Sequence, residues 1–265
     1  MDLSFSIPLP DLLRAALVFI RVGSVIFALP LFGDSPVPVR VRVIFSLALS
    51  VCIFPLVPLN WGRDIPHEAL PLSLVVFREI AIGLVLGFVA RIAFDGLLMA
   101  AAIVGYQMGF GTANLFVPDA GEQLNGFTAF HRIIMLLIFL TLDFHHGFII
   151  AISNTFKYIH AGGAYLQGDF MSFFIDLTAE IFLTSIQLAA PILVALMFAM
   201  TALGLVARTV PQMNVFTLSF PFSFFIGLAI YAATLPLFPP FLNDHFINSE
   251  RLILEAMAGL RGGDG

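Results

Sequence analysis

A chain of 265 residues that is 60% apolar and 11% charged, with a mean hydropathy of +1.01, departs from soluble domains, in which about a quarter of residues are charged. Its net charge of −5 comes without a basic run, which excludes a nucleic-acid footprint and a polybasic lipid clamp. Cys52 is the one cysteine and lies in an apolar run, so an intrachain disulfide and a thiolate metal cluster are excluded.

A helix needs about 20 apolar residues to cross a ~30 Å hydrocarbon core. By that measure helices are expected over about 11–32, 40–58, 71–98, 128–157, 174–207 and 214–238, with a shorter one near 98–110. The expected class is therefore an all-α integral membrane protein of about six spans, with no soluble domain.

The amino terminus, MDLSFSIPLPDLLRAALVFI, lacks a basic leader and is interrupted by Arg14 and Arg21, so the first helix is expected to stay rather than be cleaved. Seven residues apart, those arginines share one helix face, so this helix does not present every side to lipid. The segments PLFGDSPVPVR, PLVPLNWGRDIPHEALP and HAGGAYLQGDF supply turns. Arg40, Arg42, Arg63, Lys157 and Arg208 fall at loops that should alternate between sides, so charge assigns no topology.

Along the third helix, Arg78 and Glu79 open the span, and Arg91 and Asp95 follow at i, i+4. An unpaired charge at the centre of a span costs about 3 kcal/mol on insertion scales. Arg14, Arg21, Arg78, Arg91 and Asp95 therefore call for pairing, protein burial or a wet surface. They are read as intramembrane packing charges, with an ion or proton pathway as the alternative.

The stretch GYQMGFGTANLFVPDAGEQLNG, residues 105–126, differs from all of this. Gly105, Gly109, Gly111, Gly121 and Gly126 each weaken a helix by ~1 kcal/mol relative to Ala, and Pro118 bars helix continuation. Irregular backbone is expected from Thr112 to Gln123, with Met108, Phe110, Leu115, Phe116 and Val117 giving it an apolar core. Such backbone is tolerated at membrane depth only inside protein or beside a wet cavity, which points to a re-entrant gate. A surface loop with an apolar patch is the other reading.

TLDFHHGF places metal-ligand types at Asp143, His145 and His146, with His131 about three turns upstream. Adjacent histidines on a helix point about 100° apart and are not expected to converge as an i, i+4 pair does, so the expectation is a polar break, with neither metal nor cofactor. Asp176 and Glu180 read as acids favoured near a helix start. No H-E-x-x-H, G-x-S-x-G or G-x-x-x-x-G-K-[ST] pattern occurs, and the chain is read as a non-enzyme. Residues 244–265 are expected to form a short amphipathic helix around Leu252, Ile253, Ala256 and Leu260, followed by a flexible tail.

Four segments carry a family likeness: IRVGSVIFALPLFGDSPVPVRVRV, GYQMGFGTANLFVPDAG, LLIFLTLDFHHGFIIAISNTFKYIHAGG and LAAPILVALMFAMTALGLVARTVPQMNVFTLSFPFSFFIG. On these the chain resembles the FliR/SctT family of type III secretion export-gate membrane proteins over nearly its whole length. It departs from the family at Asp143 to His146, where many members have Asn-Gly-His, so no role for that glycine is carried over.

The resemblance implies one export-gate domain over 1–265, with strongly tilted helices, broken or re-entrant segments, and FliP-like plus FliQ-like halves. The FliQ-like helical hairpin would span 174–240, and its family-motif turn would use Arg208, Pro211, Gln212, Asn214 and Pro221. Residues 105–126 would form a pore plug whose seal is Met108, Phe110, Leu115, Phe116, Val117 and Pro118. Gly105, Gly109, Gly111 and Gly121 would act as its hinge.

The implied partners are FliP-like and FliQ-like subunits, an FlhB-like specificity subunit, membrane lipid and the unfolded flagellar proteins that pass through the pore. The implied place is the bacterial inner membrane, in the flagellar basal body, with the gate projecting towards the periplasm. Two other functions compete with this one. A small secondary transporter would use Arg91, Asp95, Asp143 and His145 for proton coupling; a structural scaffold would keep its loop still.

Overall fold

A computed structural model describes residues 8–29, 37–62, 65–66, 68–110, 126–163, 170–210 and 214–243. Among them the α-helices are α1 (Leu9–Ala28), α2 (Val39–Ile53), α3 (Ala69–Gln107), α4 (Gly126–Thr141), α5 (Phe144–Tyr158), α6 (Phe170–Thr209) and α7 (Val215–Thr234). Short 3-10 turns at Phe54–Leu56 and Leu235–Leu237 follow α2 and α7. The chain is an all-helical membrane protein.

Local chemistry sets several of these boundaries. Pro8 and Pro38 stand at the N-caps of α1 and α2, where a missing backbone donor costs nothing. Asp11 lies in the first turn of α1, where the helix dipole favours an acid. The Asn214 side chain caps α7 by accepting from the Thr217 amide at 3.3 Å. Proline inside a helix removes one bond without ending it here, as Pro191 in α6 and Pro221 in α7 show.

One boundary differs from expectation, and one break falls where it was expected. The short helix expected near 98–110 is the continuation of α3, which runs unbroken for 39 residues. Gly83, Gly87 and Gly96 within it let neighbouring helices approach closely, so tertiary packing overrides a propensity loss of ~1 kcal/mol at each. The long helix expected over 128–157, with a polar break at TLDFHHGF, is broken there: α4 ends at Thr141, α5 starts at Phe144, and Asp143 between them takes a left-handed φ of 56°.

By length and apolarity, Val39–Leu56, Ala69–Gln107, Phe174–Thr209 and Thr217–Asn243 qualify as spans. Gly126–Thr141 with Phe144–Tyr158 makes a fifth if the broken pair is one crossing. About six were expected. The difference is α1, whose Arg14 and Arg21 both point into protein.

The chain divides into two compact units. The first comprises Met1–Ile92, Asp143–Leu177 and Phe246–Gly265, and the second Ala93–Leu142 and Thr178–His245.

In the first unit, Leu17, Val18, Val22 and Val25 of α1 are buried with Ile82 and Leu86 of α3, Trp61, and Phe156 and Ile159 at the end of α5. The helices α1 and α3 approach closely because Gly83 and Gly87 stack on one face at i, i+4. A Cβ at Gly83 would stand 2.5 Å from Ser24 Cβ, and one at Gly87 would stand 2.4 Å from Ala28 Cβ. On α2 the buried Ser46 and Ser50 satisfy themselves through the carbonyls of Arg42 and Ser46 at 2.8 and 2.6 Å.

In the second unit, Leu97, Val104, Phe127, Met135, Phe139, Ile192, Leu196 and Tyr231 are buried. Phe94 and Phe139 meet edge to face with centroids 5.1 Å apart. Gly96 faces Thr184, whose Cβ would lie 3.2 Å from an added methyl.

These glycine contacts have a measurable consequence. Gly87→Ala should lower the thermal unfolding midpoint in detergent, by an overpacking cost of about 1–3 kcal/mol. Gly204→Ala, at a helical position with nothing within 4 Å of the added carbon, should leave that midpoint unchanged or raise it.

Candidate functional site

The first unit is organised around a buried cation. The side chain of Arg21 is fully buried, and guanidinium presents five N–H donors in a fixed fork. Nε donates to Glu79 Oε2 at 2.5 Å and Nη2 to Oε1 at 3.0 Å, a bidentate ion pair with a fully buried carboxylate. Nη1 donates to the carbonyls of Thr155 and Ile159 at 3.2 and 3.3 Å, and Nη2 also to that of His160 at 3.4 Å. The guanidinium carbon also lies 4.7 Å from the Phe156 ring centroid and 5.2 Å from that of Trp61.

The same groups hold the turn after α5. Glu79 Oε1 accepts from the Gly162 amide at 2.8 Å, and Arg78 donates to the Gly162 carbonyl at 2.8 Å. Trp61 Nε1 donates to the Ile159 carbonyl at 3.0 Å, and its ring meets Phe156 edge to face. Gly162 needs its left-handed φ of 66°, and an added Cβ would stand 3.0 Å from Val75. Arg14 donates to the carbonyls of Val57 and Pro58 at 2.9 and 2.7 Å, with its guanidinium 5.3 Å from the Phe54 centroid.

Arg14, Arg21 and Arg78 are therefore engaged inside the chain, and Arg21 uses its whole donor set there. Arg91 and Asp95 lie mid-way along α3, each half-buried. The residues that complete the network, Glu79, Trp61 and the carbonyls after α5, come from sequence positions up to 139 apart, so spacing did not expose them.

The second unit holds the root of the predicted plug. Met108 is fully buried against Gly227 of α7, where an added Cβ would stand 2.6 Å from Met108 Cγ. Gly105 lies inside α3 and Gly109 just past its end. The amides of Met108 and Gly109 still bond to the carbonyls of Val104 and Tyr106, closing the last turn of α3. With φ of 95°, Gly109 takes a conformation that an L side chain resists, and a Cβ there would also meet Phe220 at 2.7 Å.

Phe110 then enters an aromatic cluster, with its centroid 6.1 Å from Phe127 and 5.6 Å from Phe224. Phe127 in turn packs edge to face on Tyr231, whose hydroxyl lies 2.9 Å from His131 Nδ1. Gly227 and Tyr231 were missed in the sequence because both sit in an α7 that is apolar on every side.

Leu115, Phe116, Val117, Pro118, Gly111 and Gly121 lie outside the described residues, as do Pro211, Gln212 and the segment 244–265. Of the predicted motif turn, Arg208 is exposed in the last turn of α6, Asn214 caps α7 and Pro221 lies within α7.

At the α4–α5 break the expected divergence of His145 and His146 does not occur. Asp143 Oδ1 lies 3.9 Å from His145 Nε2 and 3.5 Å from His146 Nδ1. The ~100° separation fixes only the Cβ directions of successive helical residues, and the side-chain rotamers of His145 and His146 in the first turn of α5 still bring their ring centroids to 4.2 Å.

Against this geometry, residues 12–249 match the family model of bacterial export proteins, family 1. The chain belongs to that family. Among the relatives of this export protein is the flagellar biosynthetic protein FliR of Escherichia coli K12, 29% identical over 91% of each chain. FliR of Bacillus subtilis 168 is 33% identical over 77% of this chain and 79% of its own. FliR of Caulobacter vibrioides is 31% identical over 83% and 88%. Family membership makes the chain a membrane-embedded component of the flagellar type of export apparatus.

The buried pair gives a direct test of what holds the first unit. Glu79→Gln or Arg21→Met alone should destabilise it by about 3–5 kcal/mol, since each strands an uncompensated charge. The double variant Arg21→Met/Glu79→Leu should recover part of that loss, measured as thermal midpoint and folded yield in detergent.

Proposed function

We propose that this chain is a subunit of the flagellar type III export gate, where it helps form and seal the entry pore for unfolded flagellar proteins. The observation that carries the reading is the family match over residues 12–249. The gate would sit in the bacterial inner membrane within the flagellar basal body and project towards the periplasm. FliP-like and FliQ-like subunits would surround the chain, with an FlhB-like subunit beside them.

Helix length supports a neighbour-covered chain. The 39 and 40 residues of α3 and α6 give about 58–60 Å of helix, roughly twice a ~30 Å hydrocarbon core. Large apolar side chains remain exposed along α6 from Ile175, through Phe182, Ile186, Val194 and Phe198, to Leu205. That band runs ~45 Å along the helix, more than ordinary tilt fits into lipid. Protein surfaces supplied by other subunits would cover the remainder.

The plug reading divides residues 105–126 into a root and a tip. Met108, Gly109 and Phe110 fasten the root to α7 and α4, and Gly109 serves there as the stop of α3. Leu115, Phe116, Val117 and Pro118 would form the apolar tip that keeps the closed pore ion-tight, with Gly111 and Gly121 flanking it as hinges. Energy for transport would come from elsewhere, since the chain has no nucleotide-binding pattern.

The triple change Leu115→Ser/Phe116→Ser/Val117→Ser separates the readings. A plug predicts co-purification with FliP-like and FliQ-like subunits at the level of the unchanged chain, together with raised ion leak across the cell membrane. Unchanged leak with unchanged flagellar protein export would sink the plug, and lost co-purification would favour a scaffold.

A further inference from the structure

We propose that Asp143, His145 and His146 form a binding site for a borderline divalent transition-metal ion, of which Zn2+ is the representative. Among the described residues this is the group of histidine and acidic side chains whose ligand atoms converge, all three lying within 4.8 Å of one another.

Backbone geometry produces the convergence. The left-handed conformation of Asp143, at φ 56° and ψ 22°, ends one helix and starts the next, with the His146 amide bonding back to the Asp143 carbonyl at 3.0 Å. Asp143 is the one non-glycine residue with positive φ among those described. An aspartate at an N-cap ordinarily turns its carboxylate onto the helix amides. Here it makes no such capping bond. Its Oδ1 faces the two imidazoles instead, whose ring centroids are 4.2 Å apart.

The spacing and donor set match one class of ion. Zinc binds imidazole nitrogen and carboxylate oxygen at about 2.0–2.2 Å, which puts neighbouring ligand atoms of a tetrahedral site about 3.3 Å apart. The observed 3.5 and 3.9 Å stand within about 0.6 Å of that value, and all three ligand atoms lie within 4.8 Å of one another. Two imidazoles and one carboxylate suit Zn2+, Co2+, Ni2+ and Cu2+ and disfavour Mg2+ and Ca2+, which take all-oxygen shells. The Asp143 and His146 side chains are 71% and 65% exposed, so an ion reaches them and a fourth position stays open to water. A bound ion would tie the first turn of α5 to the residue that breaks the span.

The test uses the full chain, purified without a polyhistidine tag, with Co2+ as a spectroscopic probe. One Co2+ per chain is expected, with visible absorption that Zn2+ abolishes and excess Mg2+ does not. His146→Ala and Asp143→Gly should each weaken binding at least ~10-fold, while His160→Ala, at an exposed imidazole of the same unit, should not. Glycine accepts the left-handed backbone, so Asp143→Gly removes the carboxylate and keeps the turn, as circular dichroism and gel filtration would verify. Absence of saturable Co2+ binding, or binding that survives both substitutions in folded protein, overturns the site.

Discussion

The ion pair of Arg21 with Glu79 is the constraint around which the first unit is arranged. Two full charges removed from water cost several kcal/mol each, and their attraction compensates only when the remaining donors and acceptors are also satisfied. Arg21 meets that condition with five hydrogen bonds, three of them to carbonyls at the end of α5. Glu79 meets it by taking the Gly162 amide as well. The pair therefore joins α1, α3 and the turn after α5, elements far apart in the chain, and its stringent geometry makes their arrangement specific.

Small residues make that pair reachable. Gly83 and Gly87 lie one and two turns beyond Glu79 on α3, and they let the backbone of α1 come within contact of α3 beside Arg21. In a lipid solvent, where apolar side chains gain little by leaving the tails, such close backbone approach is a main source of helix association. Glycine has a second use in the other unit. Gly109 stops α3 with a conformation closed to other residues, and Gly227 opens the space that Met108 fills. The root of the predicted plug is thereby fixed by shape.

A fixed root and a long apolar surface fit a gate component better than a free-standing transporter. Helices about twice the thickness of the hydrocarbon core leave apolar side chains that neither lipid nor water suits, and in the proposed gate neighbouring subunits would cover them. The intramembrane arginines are likewise consistent with this view. Arg14 and Arg21 are spent on internal carbonyls and a carboxylate, which leaves them as structural members rather than as steps in a proton path.

The sequence by itself determined the class of the protein. Apolar runs, proline and glycine punctuation and charge scarcity are local properties, and they are enough to announce an all-helical membrane chain, to start its first two helices near residues 11 and 40, and to mark a polar break at TLDFHHGF. Family motifs such as QMG and the Arg208 to Pro221 turn are local as well. Only the tertiary structure decided that Glu79 answers Arg21, that Gly96 and Gly105 lie within one unbroken helix, that Met108 fills the space at Gly227, and that His145 and His146 turn towards Asp143. Each of these depends on contacts across long sequence separations or on a single left-handed residue. Composition and periodicity carry no record of either, because they average over the very backbone angles and distances that make the contact.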